Sequence, residues 1–286
     1  MIASSSAPPV AYLWEPFSPL ARPGVRAARF PYWFAYVCKD NESDYFAPLR
    51  DMLAFRYRAD AEVRACRSAR DVGRMLRDRW RFAHCRRIGA RPLMKDPIAL
   101  FSSEWIADTF QADVVVVIRH PAAFAGSIKQ RGWVHPFDHF LRQPLLMRDL
   151  LGPFEAEIRQ LAATEHPPLD QAILLWKLMY SAVLRFRERR PEWQFVRLED
   201  IAADPQEAFE RMYRSLGLVF DDHVRAAVSE TSDASNPVEV ADPAMVRRNS
   251  LASVNVWRRR LSPSEVERVR TGVEPVGSAF YTDADW

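Results

Sequence analysis

Cysteine is scarce and scattered in this chain. Only Cys38, Cys66 and Cys85 occur, an odd number with no close pair. Such a set argues against a disulfide framework or a zinc knuckle and fits reduced thiols in the cytoplasm. Long hydrophobic runs are missing as well. The longest, Tyr32 to Cys38, falls far short of the roughly 20 apolar residues that cross a bilayer. The opening MIASSSAPP lacks the basic and apolar regions of a secretory leader. No excess of charge stands out: 40 Lys and Arg face 37 Asp and Glu, a net +3. That balance is too weak by itself to argue for a nucleic-acid partner. Internal repeats, low-complexity linkers and a G-x-x-x-x-G-K-[ST] phosphate loop are absent.

What is present suits one large α/β domain over residues 1–286. Val10 to Trp14 reads as a strand. Prolines 16, 19, 23 and 31 make Glu15 to Pro31 a loop. Tyr32 to Cys38 is too short to assign to strand or helix. Asp44 to Tyr57, Ala69 to Arg81 and Ser102 to Phe110 read as helices, the last with Glu104 in its first turn. Leu93 and Met94 precede a Lys-Asp-Pro turn. Val114 to Ile118 is a continuous β-branched run, which predicts a strand buried on both faces of a parallel sheet. Pro121 opens the next helix, where its missing N–H costs nothing. Pro153 to Ala163 and Leu169 to Arg189 are amphipathic helices, and Gln194 to Leu198 is a strand. Pro205 to Leu216 is a helix stopped by Gly217. His223 to Glu230 and Pro263 to Thr271 are shorter helices. Strands alternating with helices predict a parallel sheet covered on both faces.

Charge is unevenly placed. From Arg56 to Arg91 there are 12 arginines against four acids, Asp60, Glu62, Asp71 and Asp78. This stretch is either a solvated helical face or a basic flank that draws an anionic ligand. A sharper signal sits at Arg119, directly after VVVVI. Ligands of open α/β sheets bind at the carboxyl ends of strands. A guanidinium there grips a phosphate in bidentate fashion and keeps its charge. The helix after it adds N–H groups and a positive dipole end. Ser127, eight residues after Arg119, adds a hydroxyl.

IRHPAAFAGSI resembles the 3′-phosphate segment of sulfotransferases that use 3′-phosphoadenosine-5′-phosphosulfate (PAPS), in which an Arg ending a strand and a Ser eight residues on hold that phosphate. Four further segments resemble the family in the same order: WEPFSPLARPG, LMKDPIALFSSEWIADTF, FVRLEDIAADPQEAFERMYRSLGL and NVWRRRLSPSEV. The likeness runs from residue 10 to 281. It implies a P-loop-NTPase-like sulfotransferase fold, with a parallel sheet flanked by helices and PAPS as co-substrate. It implies a cofactor role for Arg119 and Ser127, and a general one for Arg247, Arg248 and Trp257 in the segment that closes over the nucleotide. Sulfuryl transfer needs a base, a cation at the sulfuryl oxygens and in-line positioning. The family's pattern implies Lys95 as the cation and Glu15 as the base, with Asp96 as a rival base or a plain turn residue. No metal is expected: His135 and His139 are spaced i, i+4, but Pro136 intervenes and no third ligand stands near. That loop is expected to line the acceptor pocket, with Trp133 and Phe137 as walls.

Two departures from the family stand out. Its first strand and its G-x-P-R-S-G-T-T loop are missing. The residues before WEPF read like the tail of the helix after that loop, so the N-terminal strand and phosphate loop are expected to be lost from a truncated or degenerate member. Exposed strand edges and poor solubility then follow. Leu198 stands where the family often has Tyr near adenine, which makes adenine packing aliphatic or supplied elsewhere. The resemblance implies a small-molecule or carbohydrate acceptor and no membrane span, and leaves the oligomeric state open. The competing readings are a catalytically incomplete nucleotide binder and a basic nucleic-acid-binding protein.

Overall fold

Every strand in the described residues pairs with one other strand, in parallel. The computed structural model describes residues 9–20, 22–25, 28–239 and 246–286. The chain divides into two compact units, Met1–Ala112 with Arg142–Leu150, and Asp113–Leu141 with Leu151–Trp286.

In the first unit β1 (Val10–Trp14) lies beside β2 (Arg91–Lys95), with Trp14 opposite Lys95. Parallel strands need a long crossover. Here it carries α1 (Phe46–Leu53), α2 (Ala59–Ala65) and α3 (Ala69–Arg87). The first helix is shorter than its sequence suggests, because Phe55 takes a φ of 52° and turns the chain away. The third is longer. Ser68 caps its start by accepting from the Asp71 N–H, and it runs past Arg81 to Arg87 before Gly89 turns at φ 61°. Next comes α4 (Ser103–Phe110), after a 3-10 turn over Pro97–Ser102. The segment from Glu15 to Pro31 has no helix or strand among its described residues. Packing and ion pairs hold it instead. Phe17 stacks on Phe30 at 4.1 Å. Buried Glu62 accepts from the Gly24 N–H at 2.7 Å and pairs with Arg74 at 3.3 Å, and buried Asp78 pairs with Arg22.

In the second unit β3 (Val115–Ile118) lies beside β4 (Gln194–Arg197), with Ile118 opposite Arg197. Their crossover holds α5 (Pro121–Arg131), α6 (Glu155–Ala163) and the long α7 (Pro168–Arg189). Trp176, Leu178, Val183 and Phe186 of α7 are fully buried. Leu198 does not end β4. It opens α8 (Leu198–Ala203), where Glu199 and Asp200 suit the positive helix start. The chain continues through α9 (Pro205–Ser215), α10 (Asp222–Ser232), α11 (Ser250–Val254), α12 (Trp257–Arg260) and α13 (Pro263–Val273). A capping box between Ser262 and Glu265 starts α13. It crosses α7 so closely that a Cβ at Gly272 would stand 2.5 Å from Ile173.

The expectation of one sheet covered on both faces is corrected. Among the described residues there are two separate two-stranded sheets, each half covered. Val116 and Ile118 are buried while Val117 is 47% exposed. Leu13 is buried while Tyr12 and Trp14 are exposed. A β-branched run fits either environment; packing on one face alone imposes the alternation. Val116→Thr should therefore lower stability by about 1–2 kcal/mol in urea unfolding, and Val117→Thr by less than about 0.5 kcal/mol. Equal costs would restore the doubly buried strand.

Candidate functional site

The turn from β3 into α5 is fixed by three side chains that grip its backbone. The Arg119 N–H donates to the Tyr180 hydroxyl at 2.8 Å. The Arg119 carbonyl accepts from the Trp176 indole at 2.9 Å. Glu199 accepts from the His120 N–H at 3.0 Å with one oxygen and from the Tyr281 hydroxyl at 2.9 Å with the other. His120 then caps α5, its Nδ1 accepting from the Ala122 N–H at 3.2 Å. Its ring stacks on Trp257 at 5.1 Å and meets Tyr281 and Trp286 edge-on. This burial pushes the imidazole down to about 4.

None of these bonds reaches the Arg119 guanidinium. Its Nε is buried with no partner among the described residues. Burial pulls its pKa below the usual arginine value; Arg260 and Arg131 add to the effect, and Tyr180 and Glu199 oppose it. A desolvated cation beside like charges is costly, and an anion relieves it. Ser127 stands two turns along α5, half-buried, with no hydrogen bond to its hydroxyl among the described residues. The helix start itself offers less than expected. Pro121 has no N–H, and the Ala122 and Phe124 N–H groups are taken by His120. Its dipole remains.

The other residues expected near the nucleotide divide. Trp257 is buried, its Cβ 3.5 Å from where a Cβ on Gly126 of α5 would stand, and it walls the His120 side of the turn. Arg247 is exposed and ion-paired with Glu230, while the Arg248 N–H donates to the Thr231 carbonyl. Phe137 is corrected from pocket wall to core: it is buried against His135 and Phe140. Burial also pushes His135 down to about 3, with His139 adding to the effect.

In the first unit Glu15, Lys95 and Asp96 meet at the carboxyl ends of β1 and β2. The Glu15 N–H donates to the Lys95 carbonyl at 3.0 Å, and Glu15 turns the chain at φ 42°. Its carboxylate lies 3.2 Å from Lys95 Nζ, which also sits 5.2 Å from the Trp14 ring centre. Asp96 behaves differently. Its oxygens accept from the Phe17 N–H at 2.6 Å and the Ile98 N–H at 3.1 Å. Burial raises it to about 6, against the pull of those amides. Both oxygens are thus engaged in holding the loop. Glu15 and Lys95 retain the exposure a ligand needs.

Sequence reasoning missed Trp176, Tyr180, Glu199 and Tyr281. The spacing of Trp176 and Tyr180, i and i+4 on one helix, reads as ordinary core, and nothing local tells which backbone group a core hydroxyl or indole will meet.

Tyr180→Phe leaves the Arg119 N–H without its acceptor and should cost about 1–3 kcal/mol in urea unfolding; an unchanged midpoint would mean the turn is held otherwise. His120 generates a pH dependence. Its folded value of about 4 lies below the ordinary 6.5, so the unfolded chain binds a proton that the folded chain refuses. Stability from neutral His120 is full above about pH 6.5 and is lost as pH falls toward about 4. His120→Asn, which keeps a capping acceptor, should flatten that slope. Identical slopes for wild type and variant would assign the titration to another group.

No protein-family model matches this chain, and no curated protein matches it. Among solved structures, a sulfotransferase domain from the curacin biosynthetic pathway is similar to it at a TM-score of 0.41 and 15% identity, over 93% of this chain and 98% of that one. A likeness of this extent leaves the chemistry to be judged from the residues of this chain.

Proposed function

We propose that this chain binds PAPS and transfers its sulfuryl group to a hydroxyl or amine of a small-molecule or carbohydrate acceptor, on a P-loop-NTPase-like sulfotransferase fold. One observation carries the reading: the Arg119 guanidinium stands at a strand end, its Nε buried, with no acid partner among the described residues. That is the setting of a group reserved for an anion. Arg119 grips the 3′-phosphate, the α5 dipole faces it and the Ser127 hydroxyl joins it. In the first unit we assign Glu15 to take the acceptor's proton and Lys95 to the sulfuryl oxygens, since the two side chains sit 3.2 Å apart and remain reachable. The bond from sulfur to the bridging phosphate oxygen breaks as the acceptor atom bonds sulfur. Three free cysteines fit a reducing compartment, so we place this activity in the cytoplasm.

A second reading shares that support. The Arg119 site, its Nε buried and without a partner among the described residues, serves equally a chain that holds the nucleotide without turning PAPS over. Release of adenosine 3′,5′-bisphosphate from PAPS in the presence of acceptor would exclude it.

Calorimetry with adenosine 3′,5′-bisphosphate tests the shared core of both readings. Binding is expected, and Arg119→Ala should weaken it by about 1.5–3 kcal/mol, the scale of a charge-assisted hydrogen bond. Equal affinity in a folded variant places the phosphate elsewhere. No nucleotide binding by the wild type, with salt-sensitive oligonucleotide binding instead, defeats the sulfotransferase reading.

A further inference from the structure

On the helix α3 the acids Asp71 and Asp78 share one side with Arg74, and the opposite side carries none. Asp78 and Phe82 are buried. Asp71 caps the helix start and pairs with Arg74, and Asp78 pairs with Arg22. On the opposite side, four-residue steps align Val72, Leu76 and Trp80 in a row. All three are exposed, Trp80 by 69%, and His84 stacks on Trp80 at the end of the row. At 100° per residue, Arg70, Arg77 and Arg81 flank this row on one side, and Arg79 and Arg86 on the other. Arg70, Arg79, Arg81 and Arg86 have no ion pair among the described residues, and Arg77 has only Asp78 at 3.8 Å. No acid stands on the outer face.

Charge and apolarity together select the occupant. Pairing this face with a second copy would set arginines against arginines. A nucleic acid would satisfy the arginines but press charged backbone onto the Val72–Leu76–Trp80 row. A plane of anionic headgroups satisfies both: the row enters the boundary of the acyl layer while the arginines on either side reach lipid phosphates. We propose that the outer face of α3 is a docking surface for an anionic phospholipid bilayer. The contact is peripheral and reversible, because three apolar side chains enter the boundary rather than a spanning segment.

Flotation of the full chain with vesicles tests this. The chain should float with phosphatidylcholine vesicles containing about one-third phosphatidylserine, and not with phosphatidylcholine alone. Raising the salt to about 0.5 M should weaken the association. Two outward-facing double variants separate the two contributions while keeping the wild-type unfolding midpoint. Leu76→Ser with Trp80→Ser removes apolar contact, and Arg79→Gln with Arg86→Gln removes charge. Each should lower apparent vesicle affinity about tenfold or more. The proposal is overturned if phosphatidylserine vesicles do not carry the chain, or if both double variants float like wild type. It is also overturned if an oligonucleotide is bound while vesicles are not. Self-association abolished by the Trp80 variant, without vesicle binding, overturns it as well.

Discussion

A partly buried arginine with no ion pair among the described residues is the constraint on which the second unit depends. Elsewhere the protein pairs its semi-buried arginines: Arg22 with Asp78, Arg74 with Glu62, Arg197 with Asp285. Arg119 is the contrast. The carboxylate best placed to cancel it, Glu199, is committed to the His120 N–H and the Tyr281 hydroxyl. Tyr180 and Trp176 address the backbone of Arg119, not its charge. The surroundings thus fix where the guanidinium stands and leave its charge unspent. A structural arginine in this position would be expected to draw Glu199 to itself, because a partly desolvated charge is costly to leave unpaired. Retaining that cost makes sense where a ligand supplies the counter-charge.

Much of the fold was legible from local chemistry. Pro121 and Pro205 mark helix starts and Gly217 a helix end, and the structure has them there. β1 and β4 fall where apolar runs predict them. The errors have physical reasons. The second helix, ADAEVRA, has too little apolar periodicity to declare itself. The end of α1 depends on one left-handed residue, Phe55, whose type gives no warning. The run VVVVI specifies a strand but not how many of its faces are covered, since that depends on what the rest of the chain brings against it.

The site was legible in part. Arg119 stood out because a cation directly after a β-branched strand and before a proline-started helix is an uncommon conjunction. Its isolation from acids could not be read, because it depends on where Glu199, 80 residues later in sequence, directs its two oxygens. The same limit applies to Asp96. An Asp before Pro reads equally as a base or as a turn residue. Geometry decides for the turn, since amides of Phe17 and Ile98 occupy the carboxylate, and that leaves Glu15 beside Lys95 as the reachable carboxylate.

A net charge of +3 hides how strongly this protein separates its charges. The arginine excess between Arg56 and Arg91 does not spread over the first unit. Glu62 of α2 and Asp78 of α3 turn inward as anchors for the segment around Arg22 and Gly24, while Arg70, Arg77, Arg79, Arg81 and Arg86 of α3 turn outward around an exposed apolar row. The α3 helix therefore serves two tasks from opposite faces, sharing the inner one with Glu62 of α2. The inner face needs carboxylates, because the loop it holds has no helix or strand to satisfy its backbone among the described residues. Once the acids are committed there, none remains to neutralise the outer face. The outer charge is in this sense a consequence of how the loop is held, and the apolar row within it is the added feature that charge alone does not explain. Exposed Val, Leu and Trp in one line carry a hydration cost that solvated arginines do not require. That cost points to a partner with an apolar interior beneath an anionic surface.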